Sequence, residues 1–274
     1  MSVLADIAEP MARNAPAIAD LVVFPAGAVI AIIFEGTGLW RTIARAAAEP
    51  EADMPLTATV LVAIGILISA AAAWRSLNRD AARNFTAVSA AIFAPVVAIV
   101  IEVSWAPATV LGNYVWALHA MAIAALMVVM AERFARADGP DDRLRVSMAM
   151  LSALASIAFA LVLLFSSAAL TTALAVTIVA AAWLDRQFNL PLMGVYILAG
   201  VTTIGYRLVI DPGLDWAFDA PLFEMLLSHG GAVLAFAAAW LLARDAKRPR
   251  SEVLLESAVF SSTGILLSVL MFRM

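Results

Sequence analysis

The chain has 274 residues, 64% of them hydrophobic and 14% charged, with a net charge of −4. A soluble domain carries about 45–50% apolar and about 25% charged residues, so this composition excludes a water-covered globule of this size and makes lipid the fitting solvent. Cysteine is absent, which excludes disulfides, thiolate catalysis and Cys-ligated zinc or iron–sulfur centres, and the single lysine, Lys247, lies in a loop, which excludes a retinal-type Schiff base inside a bundle.

A bilayer-crossing helix needs about 20 mostly apolar residues. Nine stretches are of that kind: 17–34, 56–74, 85–103, 111–131, 146–165, 168–184, 190–210, 222–243 and 253–272. Each run is continuous rather than alternating and too long for a barrel strand. The expected fold is therefore an all-α polytopic bundle, a single integral membrane domain over 1–274. Residues 1–16 contain Asp6, Glu9, Pro10 and Arg13 rather than a basic leader, so the first span is expected to stay as an anchor. At the other end the chain stops at Met274, directly after an apolar run, and a chain cut from a longer protein is the expectation.

The loops set the orientation. Arg75, Arg79 and Arg83 follow span two; Arg133, Arg136, Arg143 and Arg145 follow span four; Arg186 follows span six; Arg244, Lys247, Arg248 and Arg250 follow span eight. The loops after spans three and five have no basic residue, and the loop after span seven is acidic, with Asp211, Asp215 and Asp219. Basic loops stay in the cytoplasm. The N-terminus is thus expected inside, in a bacterial inner membrane, and the C-terminus outside. Arg41 and Arg45 fall on the outer side and fit the rule least well.

Within the spans, Ala149, Ala153 and the stretch 152–156 give span five a face of small residues suited to close helix contact. Gly194, Gly200 and Gly205 in span seven and Gly230-Gly231 in span eight are likewise read as packing residues; a kink or break is the alternative at Gly230-Gly231, and Pro95 in span three could kink its helix in the same way. Three Ala-Ala-Ala-Trp runs, ending at Trp74, Trp183 and Trp240, close inner helix ends. Tryptophan at an interface accounts for that likeness, and internal duplication is the alternative.

Ionisable residues in a span are costly and usually face the bundle interior or a wet cavity. Five occur in the outer half on four helices: Glu102, His119, Arg207, Glu224 and His229. By helical rise, the two histidines lie roughly 10–12 Å below the outer boundary, and Arg207 could neutralise Glu224. These five are the candidate polar cluster. The plainer alternative is that Glu102 and Glu224 sit at headgroup level and that each histidine simply bonds a neighbouring helix.

The segment Trp183-Leu184-Asp185-Arg186-Gln187-Phe188-Asn189-Leu190-Pro191, with Gly205-Tyr206-Arg207-Leu208-Val209-Ile210-Asp211-Pro212-Gly213 after it, resembles the multi-pass bacterial membrane proteins grouped as domain of unknown function 2339. The likeness is clearest from about Leu56 onward. Members of that family are usually longer, with more spans, so the resemblance implies a partial-length member. It implies no activity.

A transporter- or permease-like protein with a polar cavity open to the outer side is the expected function. An enzyme acting on a lipid-linked envelope substrate is an alternative, since histidine can serve as a base and Arg207 could hold a phosphate; no nucleophile elbow, phosphate loop or HExxH motif is present. A structural or assembly subunit is a further alternative. No metal, catalytic residue or cofactor is expected, and haem on His119 and His229 is the minor alternative, because only one such pair exists. The expected partners are the lipid bilayer, with other membrane subunits or the rest of a longer chain. Basic residues are dispersed over inner loops, so nucleic acid is not an expected partner.

Overall fold

The computed structural model describes residues 56–78, 83–245 and 248–274. The first expected span, 17–34, lies outside them, as do Arg41, Arg45, Arg79 and Lys247. The described residues form helices and no strand. Seven helices are long and apolar enough to cross a membrane, and an eighth crossing results if one bent pair counts as a single span. The expected nine therefore stand at seven or eight among the described residues. Large apolar side chains point outward along them: Phe223, Leu234 and Phe260 are each more than 70% exposed. Water would penalise such a surface, whereas lipid does not.

The chain divides into two compact units, Met1–Leu163 and Leu164–Met274. In the first, α1 (Leu56–Asn78), α2 (Arg83–Trp105) and α4 (Asn113–Asp138) pack on one another. A short α3 (Ala108–Leu111) precedes α4, and α5 (Leu144–Leu164) follows it. The packed face of α2 is made of small residues, with Ala87, Ala90, Ala94 and Ala98 all buried. Gly65 of α1 lies against Ala94, where an added Cβ would already be in contact at 3.6 Å.

Pro95 sits inside α2 without ending it. Proline cannot donate to the carbonyl four residues back, here Ala91. Ser152 of α5 supplies the missing donor, its Oγ 2.5 Å from the Ala91 oxygen. On the facing side, Ala94 N–H donates to Ser69 Oγ of α1 at 3.1 Å. Two hydroxyls from neighbouring helices thus carry the polar groups around the proline.

α4 extends beyond the expected end at 131, so Arg133 and Arg136 lie on helix rather than loop. The fully buried Phe134 prolongs its packed face, and Arg136 pairs with Glu132 one turn back at 2.5 Å. Arg145, expected in a basic loop, is instead sealed at the start of α5, with 3% of its side chain exposed. It grips Asp138 with two nitrogens, Nε donating at 2.8 Å. Nη1 donates to the Ser76 carbonyl at 2.5 Å, and the guanidinium lies 4.8 Å from the Phe134 ring centre. Arg83 pairs with Asp142 at 3.0 Å and approaches Asp138 at 3.8 Å. Asp142 also accepts from Leu144 N–H, capping α5.

In the second unit, α6 (Ser167–Phe188), α7 (Met193–Val209), α11 (Pro249–Arg273) and α10 (Gly231–Asp245) contact each other in a closed ring. Gly200 of α7 abuts Ile178 of α6 so closely that a Cβ would come within 2.7 Å of it, and Tyr196 Oη donates to Thr177 Oγ1 at 2.8 Å. Asn189, in the left-handed region with φ 52°, terminates α6. Arg248 then closes the same end: it donates to both Asp185 oxygens at 3.2 Å and to Asn189 Oδ1 at 2.8 Å. The Asp185 and Asn189 positions of the motif-bearing segment are therefore a clamp for the start of α11.

Candidate functional site

The five candidate residues fall in both units, Glu102 and His119 in the first and Arg207, Glu224 and His229 in the second. Glu102, in the last turn of α2, accepts from Ala108 N–H at 3.4 Å across the Ala106–Pro107 turn. Its carboxyl also faces the buried Trp116 indole, whose Nε1 makes no hydrogen bond of good geometry. His119 packs on Trp116 with ring centres 5.1 Å apart. Its Nδ1–H donates to the Val115 carbonyl at 2.8 Å, and its Nε2 lies 3.1 Å from the Thr59 hydroxyl of α1. A carbonyl can only accept, so in the neutral ring Nε2 accepts the Thr59 proton. Both ring nitrogens are thereby used in tying α4 to α1.

The second unit differs. α7 ends at Val209 and bends by 54° into α8 (Gly213–Asp219). α9 (Leu222–Met225) then runs through a π-helical turn, Leu226–Gly230, into α10. The turn ends at the Gly230-Gly231 pair. A wider turn frees carbonyls from the regular ladder, and π turns are common at functional sites. Here Thr172 of α6 donates to the Leu227 carbonyl at 2.6 Å. Gly231 permits that approach, since a Cβ there would lie 2.9 Å from Thr172 Oγ1.

His229 occupies this turn and is 1% exposed. Its ring stacks on Trp216 of α8, centres 6.5 Å apart and planes 14° from parallel. Backbone groups of Leu208 and Met225 face the ring, yet neither ring nitrogen closes a hydrogen bond. Arg207 Nε donates to Thr171 Oγ1 of α6 at 3.1 Å, and Glu224 is exposed on α9. Arg273, at the end of α11, donates to the Ala217 and Ala220 carbonyls at 2.6 and 2.7 Å. It caps the C-terminal end of α8, where carbonyls lack helical donors, and so fixes the helix that carries Trp216.

Trp216, Thr172 and Arg273 were not legible as site residues. Trp216 stands among acidic residues in what reads as a loop, Thr172 is one hydroxyl in an apolar run, and Arg273 reads as a terminal anchor. The glycine pair was the available signal. Among the described residues, no group of three or more His, Asp or Glu could hold a metal ion.

No curated protein and no solved structure matches this chain. The profile of one family, described as "Predicted membrane protein (DUF2339)", matches residues 21–274. That match takes in both units' described helices and the two motif segments, and the chain belongs to this family of multi-helix membrane proteins.

Proposed function

We propose that the protein is a transporter- or permease-like component of the bacterial inner membrane, with nine spans, a cytoplasmic N-terminus and a polar cargo site in the outer half of the second unit. The observation that supports this reading is His229: an imidazole buried on a π turn, faced by backbone groups of Leu208 and Met225 but closing no hydrogen bond of good geometry at either nitrogen. His119 is what a structural histidine looks like, bonded at both nitrogens. An unpaired buried polar group costs about 1–3 kcal/mol, and a group in that position invites a partner such as a water, an ion or a polar solute. A hydrated or polar solute entering beside Trp216 would supply one. Interrupted helices next to polar groups are also how transporters offer backbone atoms to cargo; the π turn carries this residue, and the α7–α8 bend leads into the helix whose Trp216 stacks on it. Arg207 and Glu224, in the same unit, are the charged groups proposed to meet an ionic cargo. The orientation is supported by basic residues at alternating helix ends, Arg75, Arg136, Arg186 and Arg244 each lying in the last turn of its helix.

The test is uptake by vesicles containing the full chain, using labelled amino acids, dicarboxylates and sugars as probes, with wild type and His229→Phe in parallel. At least one probe should accumulate with wild type and not with the variant. Equal uptake by both, or none by either, overturns the reading, and the latter outcome favours a structural subunit.

A further inference from the structure

The N-terminal ends of α7 and α11, the latter basic, enclose a groove of about 640 Å³, within the roughly 300–1,000 Å³ usual for small-molecule sites. Its long wall is apolar: Val195 and Leu198 are more than half exposed, and Leu254 faces them from α11. Its mouth is polar, formed by Arg250 and Ser251 in the first turn of α11. At that end Pro249 has no N–H, and Glu252 N–H donates to the Arg248 carbonyl. Helix geometry leaves the N–H groups of Arg250 and Ser251 without a partner inside the helix. Arg248 also borders the mouth, but its charge is matched by Asp185, so Arg250 is the cation that an incoming anion would meet.

We propose that this groove binds one anionic phospholipid, its phosphate at Arg250 and the first turn of α11, and an acyl chain along Val195, Leu198 and Leu254. The commitment to lipid rather than free phosphate rests on continuity: the cationic mouth opens directly onto an apolar wall on the membrane-facing side of the helices. A basic pocket between spanning helices at the face that carries the arginine loops is the usual setting for anionic headgroups. Gly194 keeps the two helices close here, since a Cβ would lie 3.2 Å from Ser251 Oγ. The reading needs only membrane residence and is independent of any cargo site at His229.

The experiment uses the full chain in detergent, stripped of lipid, with phosphatidylglycerol, phosphatidylethanolamine of the same acyl chains, or inorganic phosphate added back. Retained lipid is counted by native mass spectrometry, and melting temperature is followed in parallel. Wild type should retain phosphatidylglycerol about fivefold over phosphatidylethanolamine, the preference one surface arginine gives. Arg250→Gln should bring the ratio near one. Leu198→Trp, which fills the groove, should lower retention of both lipids, while Arg133→Gln, a basic change in the first unit, should leave the preference intact. Equal retention of the two lipids by wild type overturns the proposal, as does an unchanged preference in Arg250→Gln. Stabilisation by inorganic phosphate alone, equal to that by lipid, also overturns it in favour of a phosphate site.

Discussion

The Ser152 hydroxyl donates to the Ala91 carbonyl at 2.5 Å, the oxygen that Pro95 deprives of its helical amide. The bond belongs to the proline as much as to the serine. Ser152→Ala should destabilise the protein by about 1 kcal/mol, as interhelical hydrogen bonds in membranes do. In a Pro95→Ala background, the helix regains the amide that proline lacks, and the same change should cost close to nothing. A double-mutant cycle on unfolding in detergent reads the coupling; equal costs in both backgrounds would show that Ser152 acts elsewhere.

Arg145 and Asp138 form a pair almost wholly out of solvent. Removing one partner of such a pair leaves a buried charge, at about 3–5 kcal/mol. Arg145→Met should therefore prevent accumulation of folded protein or lower its melting point sharply. Arg145→Met with Asp138→Leu should recover much of the loss. Failure of the double variant to improve on the single would show that the Ser76 contacts of Arg145, not the pair, matter most.

At Gly231, an alanine would crowd Thr172 Oγ1 at 2.9 Å and Cγ2 at 3.1 Å. Gly231→Ala should cost about 1–3 kcal/mol, in the range of overpacked sites. Thr172→Ala removes both crowded atoms, so the double variant should be less destabilised than the two single costs added. Simple additivity in thermal melts would disprove the steric account.

His229→Phe keeps an aromatic ring for Trp216 and removes two nitrogens that close no hydrogen bond of good geometry. Stability should hold or rise by about 1 kcal/mol, because no buried polar group is left unmet, while uptake should be lost. Stability and function moving in opposite directions is the signature of a site residue. A variant that is clearly less stable would instead mark His229 as part of the packing.

Much of the architecture was readable from runs of apolar residues, since lipid imposes a length on each of them. Gly230-Gly231 was also visible as an interruption of its helix, and Pro95 as a lost backbone donor in a helix that nonetheless runs on. Their repairs by Thr172 and Ser152 were not, because a lone hydroxyl in an apolar run looks the same whether it bonds its own helix or another. The bonding of His119 to Thr59 and the isolation of His229 could not be told apart in the sequence either. Both are single histidines at similar depth, and only the neighbouring helix decides which is satisfied. Arg145 was the clearest misreading: beside Arg143 it passes for one more solvated loop charge. Its burial depends on Asp138 across the turn and on Ser76, which is far from it in the chain.

That burial has a bearing on how the polypeptide is made. In the proposed orientation, Arg145 emerges during synthesis as an open positive charge, able to help hold its flank of the bilayer against translocation. Once α1 and α4 close around it, the same guanidinium vanishes beneath Ser76 and Phe134. A signal for direction is thus consumed as a girder, and swapping it for an arginine displaced along the same loop would preserve the way the chain is threaded while leaving the finished assembly without its keystone.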